Sequence, residues 1–295
     1  MSDDILKVKE LIDKTDAIVI GAGSGLSTAA GYTYSGSRFY KYFEDFIFKY
    51  NFIDMYTAGF YNFQSPEEYW AYWSRYIFIN RYMDIPNNTY INLFDLVKNK
   101  NYFVITTNVD HSFQRSGFAK NRIFYTQGDY GLFQCSTPCH NKTYDNEELI
   151  RKMLESQNIK ISKSNELIIS DNIKMTIDSN LIPKCPVCGE PMIMNLRSDD
   201  TFVEDDTWHK HDRLYEEFIN ANKNKKILFL ELGVGYNTPS IIKYPFEEMT
   251  YKLKKANLVR VNKDYAQVPE EIENKAIGLY YSIDEFLDKL KKLYK

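Results

Sequence analysis

The sequence predicts an α/β protein: a doubly wound parallel sheet with a smaller zinc-binding module and a helical module. Three observations lead there. Short apolar runs of the kind that fill a buried parallel strand recur along the chain and end in glycines or polar residues. Helically spaced segments separate those runs, the alternation expected of a doubly wound sheet. Two close pairs of cysteines sit in one polar insertion.

The elements follow in order. Asp4 to Lys14 reads as an amphipathic helix, with Ile5, Val8, Leu11 and Ile12 on one face. Ala17-Ile18-Val19-Ile20 is the first strand, and Gly21-Ala22-Gly23-Ser24-Gly25-Leu26-Ser27-Thr28-Ala29-Ala30-Gly31 follows it. Glycines at a strand-to-helix turn let backbone N–H groups approach a pyrophosphate. The G-x-G-x-x-G spacing is not met, so a tight turn without ligand is the plain alternative. Phe39 to Tyr90 is dense in Phe, Tyr and Trp at helical spacing and reads as a helical module whose rings form core. Tyr102 to Thr106 is the second strand, ending in Thr106-Thr107-Asn108-Val109-Asp110. Polar residues at a strand's carboxyl end lie where α/β proteins bind ligands. Asn108 and Asp110 equally suit a cap for the next helix.

Ile227 to Leu232 is a third strand closed by Gly233-Val234-Gly235, Pro245 to Lys255 a helix, and Leu258 to Asn262 a fourth strand. Ser282-Ile283-Asp284-Glu285 reads as a capping box opening a helix with Phe286, Leu287, Leu290 and Leu293 on one side. This pattern gives the Rossmann-like domain residues 1–38, 91–132 and 197–295, the helical module 39–90, and the cysteine-bearing module 133–196.

Cys135-x-x-x-Cys139 and Cys185-x-x-Cys188 have the paired arrangement that closes a tetrahedral structural zinc site. Four protein ligands would leave no open position, so the metal staples a module and does no chemistry. His140 is read as a neighbour of the site, and the acidic residues around Trp208 as a solvated loop. A net charge of -3 offers no basic field for nucleic acid. The mixed charges of Met1 to Glu10 contain no signal-peptide core, and no uncharged run is long enough to span a bilayer. No membrane association and a cytoplasmic location are therefore expected.

These residues also carry a family resemblance. Gly23 to Gly31 is similar to the sirtuin G-A-G-x-S-x-x-x-G loop, and Thr106 to Asp110 to its T-Q-N-I-D motif. Gly233-Val234-Gly235 resembles the family G-T-S, and Val261-Asn262 its I-N. The order and spacing match from about Ala17 to Asn262. The resemblance implies NAD as substrate, with Gly23, Ser24, Gly25, Ser27 and Gly31 at the pyrophosphate turn. Asn108 would orient the ribose, Asp110 contact the nicotinamide amide, and Gly233, Gly235 and Asn262 bind the adenosine half.

Two departures decide what kind of chemistry follows. Gly31-Tyr32-Thr33-Tyr34-Ser35-Gly36 lacks the family's Asp and Arg, for which the nearby Arg38-Phe39 is the candidate substitute. Gln127, in Thr126-Gln127-Gly128, stands where sirtuins place their histidine base. Gln127, Gly128-Asp129-Tyr130-Gly131 and Cys139-His140 together resemble the macrodomain-linked branch, class M. That branch implies a protein ADP-ribosyltransferase, a lipoylated glycine-cleavage-H-like carrier protein as acceptor, and a macrodomain hydrolase that removes the mark.

The chemistry leads to the same place separately. Deacylation needs a base to activate a ribose hydroxyl, and glutamine has no titrating group. An acceptor carboxylate is already ionised at neutral pH and attacks C1′ unaided. Gln127 and Asn108 are thus expected as the residues at the reacting centre. The competing readings are an NAD hydrolase, a silent NAD or ADP-ribose sensor, and a lysine deacylase in which His111 replaces the missing base.

Overall fold

Apolar runs with no polar face can only be buried on both sides, and the structure uses them that way. It is a computed structural model that describes residues 3–294. Six parallel strands make one sheet: β1 (Ala17–Ala22), β2 (Tyr102–Thr106), β3 (Ile123–Tyr125), β4 (Ile227–Leu232), β5 (Ala256–Val261) and β6 (Ala276–Leu279). Their order is β6-β5-β4-β1-β2-β3. Every residue of β1, β2 and β4 is buried. The chain winds outward from β1 through β2 to β3, then starts again on the other side of β1 with β4. The switch point therefore lies between β1 and β4, where sheets of this class open a crevice for ligand.

The register sets the site. Ala22 pairs with Thr106 and Leu232, Thr106 with Tyr125, Leu232 with Val261, and Val261 with Leu279. These residues form one transverse row at the carboxyl ends of the strands. Gly23, Asn108, Gln127, Gly233 and Asn262 each fall one or two residues beyond it, so five motifs far apart in sequence share one edge of the sheet.

The sheet core holds charge as well as hydrocarbon. Glu231, Arg260 and Lys243 are at most 1% exposed. Glu231 Oε1 accepts from Lys243 Nζ and Arg260 Nε, both at 2.8 Å, and Arg260 also reaches Glu231 Oε2 and Glu247. Burial lowers the basicity of Lys243, and its carboxylate partner Glu231 opposes that. Removing one member of such a cluster typically costs about 3–5 kcal/mol, because the others stay buried unpaired.

The chain divides into two compact units, Met1–Gly31, Pro86–Gln127 and Asp206–Lys295 in one, Tyr32–Ile85 and Gly128–Asp205 in the other. The first carries the sheet. The second combines the aromatic helices with the cysteine-bearing strands, so the two modules distinguished in the sequence form one body. Its aromatic helices are Ser37–Tyr50, kinked at Phe43, then Met55–Ala58 and Pro66–Ile77. Pro66–Ile77 starts cleanly because Ser65 Oγ accepts from Glu68 N and Pro66 occupies the first turn. A π-helical turn, Phe78–Tyr82, continues it. The rings do form core: Phe39, Phe43, Phe46, Tyr72 and Tyr76 are buried. Arg75, fully buried, ties the helices to the cysteine-bearing segment through both Asp45 oxygens (2.7 and 2.9 Å) and Gln157 Oε1 (2.8 Å).

Two local expectations change. Ser282 precedes the C-terminal helix Ile283–Lys291 in an extended conformation, but its hydroxyl makes no capping bond. Burial of Ile283, Phe286, Leu287 and Leu290 carries that helix instead, and Leu293 lies beyond it. Phe39 is packed against Phe43 at 1% exposure, so its ring belongs to the core. Arg38 is fixed by donating to the Ile79 and Thr33 carbonyls. Among the described residues, no helix is long and apolar enough to cross a membrane.

Candidate active site and metal centre

The edge of the sheet is assembled from backbone first. Gly23 N donates to Leu232 O and Gly25 N to Gly233 O, both at 3.0 Å, so the glycine turn after β1 lies back to back with the turn after β4. A Cβ on Gly25 would stand 2.7 Å from Gly233 Cα, and one on Gly233 2.6 Å from Gly25 Cα. Gly233 also has φ +64, which disfavours any side chain there. The glycines thus permit a backbone-to-backbone approach. Gly31, with φ +95, ends the same segment with its Cα facing Pro86. Gly235 has open space around it.

Asn262 completes the turn after β5. Its Nδ2 donates to Val234 O (3.0 Å), and its Oδ1 accepts from Asp264 N and Tyr265 N. The side chain fixes the two turns that follow β4 and β5 against each other.

On the other side of β1, Thr106 Oγ1 donates to Ala22 O and accepts from Asn108 N, each at 3.0 Å. Asn108 Nδ2 donates to Gly23 O at 2.9 Å. Its carboxamide is therefore held against the glycine turn while the residue itself is half-buried. Asp110 is 6% exposed, accepting Ser27 Oγ–H at 2.5 Å and Ser112 N–H at 2.8 Å. Its bond to Ser112 N meets the start of the short helix Ser112–Arg115, whose N-cap position is His111 and carries no side-chain capping bond, and at the same time it grips the helix after the glycine turn. Ser27 turns its hydroxyl inward, whereas Ser24 opens the helix Ser24–Ala29. His111 sits in the left-handed region at φ 62.

Gln127 occupies the turn beyond β3. Thr126 N and Oγ1 both donate to Thr106 O, and Trp208 Nε1 donates to Thr126 O. That turn is pinned on both sides, with Gln127 half-buried and in line with Asn108. Tyr90, which the sequence reading passed over, is the hidden member of the site. Its fully buried hydroxyl lies 3.0 Å from Ser27 Oγ and 3.4 Å from Asn108 Nδ2. Sixty-odd residues separate it from Ser27, and it stands on the helix Thr89–Val97.

In the second unit the four cysteines converge. The strand Gly128–Cys135 pairs antiparallel with Met192–Leu196, placing Cys135 opposite Met192. Cys185 N donates to Glu190 O and Gly189 N to Cys185 O, which folds Cys185–Cys188 into a tight knuckle. Cys135 and Cys188 sulfurs lie 3.5 Å apart, Cys139 and Cys185 3.7 Å, and all four within 4.8 Å. A tetrahedron with Zn–S arms of about 2.3 Å has edges of roughly 3.8 Å. The geometry fits zinc, and the spacing is far too long for disulfides. Backbone N–H groups of Cys188 and then Val187 lower the Cys185 thiol to about 6, whereas desolvation and the neighbouring sulfurs raise that of Cys139. His140 stands beside the cluster, 3.6 Å from Cys185 Sγ and hydrogen-bonded to Tyr144.

No protein-family model matches the chain. A protein ADP-ribosyltransferase of Staphylococcus aureus is 39% identical over 282 residues, 95% of this chain and 84% of that protein. A probable bifunctional ADP-ribose hydrolase/ADP-ribosyltransferase of Fusarium oxysporum is 26% identical over 92% of this chain, which spans only 44% of it. Among solved structures, Sir2 bound to an acetylated peptide aligns with TM-score 0.59 at 18% identity, covering 100% of this chain and 99% of the other. Sir2 with a p53 peptide and NAD+ aligns equally well, at 19% identity over the same shares of the two chains. The chain belongs to the protein ADP-ribosyltransferase family, built on the sirtuin fold.

Proposed function

We propose that this NAD-dependent ADP-ribosyltransferase modifies a carboxylate side chain of a lipoylated glycine-cleavage-H-like carrier protein. A macrodomain ADP-ribosyl hydrolase would reverse the mark. The joined hydrolase and transferase named for the Fusarium relative support a hydrolase as functional partner. The observation that carries the reading is Gln127: a half-buried carboxamide, in line with Asn108, where a deacylase would need a titrating base.

The reaction balances without a proton transfer. The C1′–N bond to nicotinamide breaks with its electron pair going to the ring, which leaves as neutral nicotinamide. An acceptor carboxylate oxygen forms the new bond to C1′, and its charge is cancelled in the ester. The barrier lies in an oxocarbenium-like state, so the protein's task is to hold the ribose, exclude water and orient the nucleophile. In this reading Gly23, Ser24, Gly25, Ser27 and Gly31 shape the pyrophosphate turn. Gly233, Gly235 and Asn262 hold the adenosine half. Asn108 and Gln127 bind the reacting ribose, and Asp110 holds the frame around it. The four cysteines would hold a structural zinc that takes no part in the reaction.

Because neither carboxamide titrates, transfer to a lipoylated carrier is expected to be nearly flat from about pH 6 to 8, where a histidine base changes charge. Gln127→Ala is expected to slow transfer by about tenfold, the loss of one ribose hydrogen bond. Intact mass of the carrier after incubation with NAD checks both. Strong NAD-dependent deacetylation of a lysine peptide with no carrier modification defeats the proposal. A steep profile across that range would instead point to a titrating base.

A further inference from the structure

Four side chains of the sheet unit form one connected chain of hydrogen bonds. Ser27 Oγ donates to Asp110 Oδ2, Tyr90 OH lies 3.0 Å from Ser27 Oγ, and Asn108 Nδ2 reaches Tyr90 OH at 3.4 Å. Tyr90 is fully buried, Ser27 and Asp110 are 6% exposed, and of the four Asn108 alone is half-buried.

The direction of every bond follows from the buried end. A carboxylate only accepts, and Asp110 takes the Ser112 N–H on Oδ1 and the Ser27 hydroxyl hydrogen on Oδ2. Ser27 has then spent its one hydrogen and can only accept from Tyr90. The Tyr90 phenol therefore donates inward, and its oxygen accepts from Asn108. That oxygen calls for the NH2 end of the Asn108 carboxamide, and so does Gly23 O at 2.9 Å. Two acceptors hold the nitrogen inward, which leaves Oδ1 to face whatever occupies the site. An outward carbonyl oxygen suits a ribose hydroxyl or a carbon gaining positive charge; an outward NH2 would oppose the latter.

We propose that Tyr90 is a positioning residue for the transfer reaction, fixing which end of the Asn108 carboxamide faces the ribose through this one-way chain. It touches neither substrate nor reacting atoms. The inference rests on the transfer reading above and adds a residue and a polarity to it.

Tyr90→Phe tests it with little disturbance, because the ring keeps its edge-to-face contact with Phe113 at 5.0 Å. Single-turnover nicotinamide release is expected to slow by about ten- to thirtyfold, the cost of a misoriented group. NAD affinity by calorimetry and melting temperature should stay near wild type, a split that mere structural damage would not give. Ser27→Ala interrupts the same chain, so the double variant is expected to be no slower than the slower single variant. Asp110→Asn, able to donate to Ser27, reverses the polarity and should slow release at least as much as Tyr90→Phe.

Release by Tyr90→Phe within about twofold of wild type, or additive losses with Ser27→Ala, overturns the inference while leaving the transfer reading intact. If Tyr90→Phe fails to fold, Ser27→Ala and Asp110→Asn decide, and full activity in both overturns it. Wild-type protein that releases no nicotinamide from NAD overturns the transfer reading, and this inference with it.

Discussion

Asn108→Ala is expected to slow ADP-ribose transfer by about a hundredfold or more while changing NAD affinity by less than about fivefold, because the lost group acts on the geometry of the reacting state. The residue is placed for that split. Its backbone is fixed by Thr106 Oγ1, and its carboxamide by Gly23 O, so the side chain arrives in position before any ligand. It is half-buried and takes no part in the sheet core, and truncating it should leave stability close to wild type. Asn108→Asp is expected to be worse than a simple loss, since an anion would face the Gly23 carbonyl. Rapid-quench measurement of nicotinamide release, with calorimetry for NAD, separates the two quantities. If affinity collapses and the release step does not, Asn108 serves binding alone and the orienting role is wrong.

What the sequence disclosed depended on how local each signal was. Ala17 to Ile20, Tyr102 to Thr106 and Ile227 to Leu232 were legible because a central parallel strand needs four or more apolar residues in a row. The edge strands β3 and β6 were not. Ile123–Tyr125 has three residues and Ala276–Leu279 contains Gly278, so neither makes a run that stands out from a loop. β3 matters most of these, because its pairing with β2 is what brings Gln127 level with Asn108. Glu231 and Arg260 sat inside strands read as apolar, and their pairing with each other, with Lys243 and with Glu247 makes their burial possible.

The site was legible as a set of turns but not as a network. Glycines, Asn108, Gln127 and the cysteine pairs announce themselves by residue type and spacing. The inward turn of Ser27 and the part played by Tyr90 rest on contacts between residues 63 and 83 positions apart, which no local pattern encodes. The kink at Phe43 and the π-helical turn Phe78–Tyr82 were hidden for a different reason. In a segment where nearly every ring is buried, helical spacing no longer marks a single face.

Loss of the metal is expected to have the largest effect on stability. Purified protein should contain about one zinc per chain, and stripping it should abolish cooperative unfolding of the cysteine-bearing segment, since apparent zinc-binding energies in small modules reach about 10–16 kcal/mol and act as folding energy. The structure gives the reason. Beyond the ends of the strands Gly128–Cys135 and Met192–Leu196, the tight knuckle carrying Cys185 and Cys188 faces Cys135 and Cys139 through their sulfur atoms. Without a cation four thiols crowd within 4.8 Å, and deprotonating them brings like charges together. Cys135→Ser should be more damaging than Cys139→Ser, because Cys135 is buried at a strand end whereas Cys139 is exposed. Arg75 extends the damage. Its bonds to Asp45 and Gln157 join the aromatic helices to the segment between the cysteine pairs, so disorder around the metal should loosen the helices too. Calorimetry of metal-loaded and chelated protein, with elemental analysis of each, reads the effect directly. A chelated protein that melts at the same temperature as the loaded one, or a disulfide between any two of these cysteines, would remove zinc from the account of this fold.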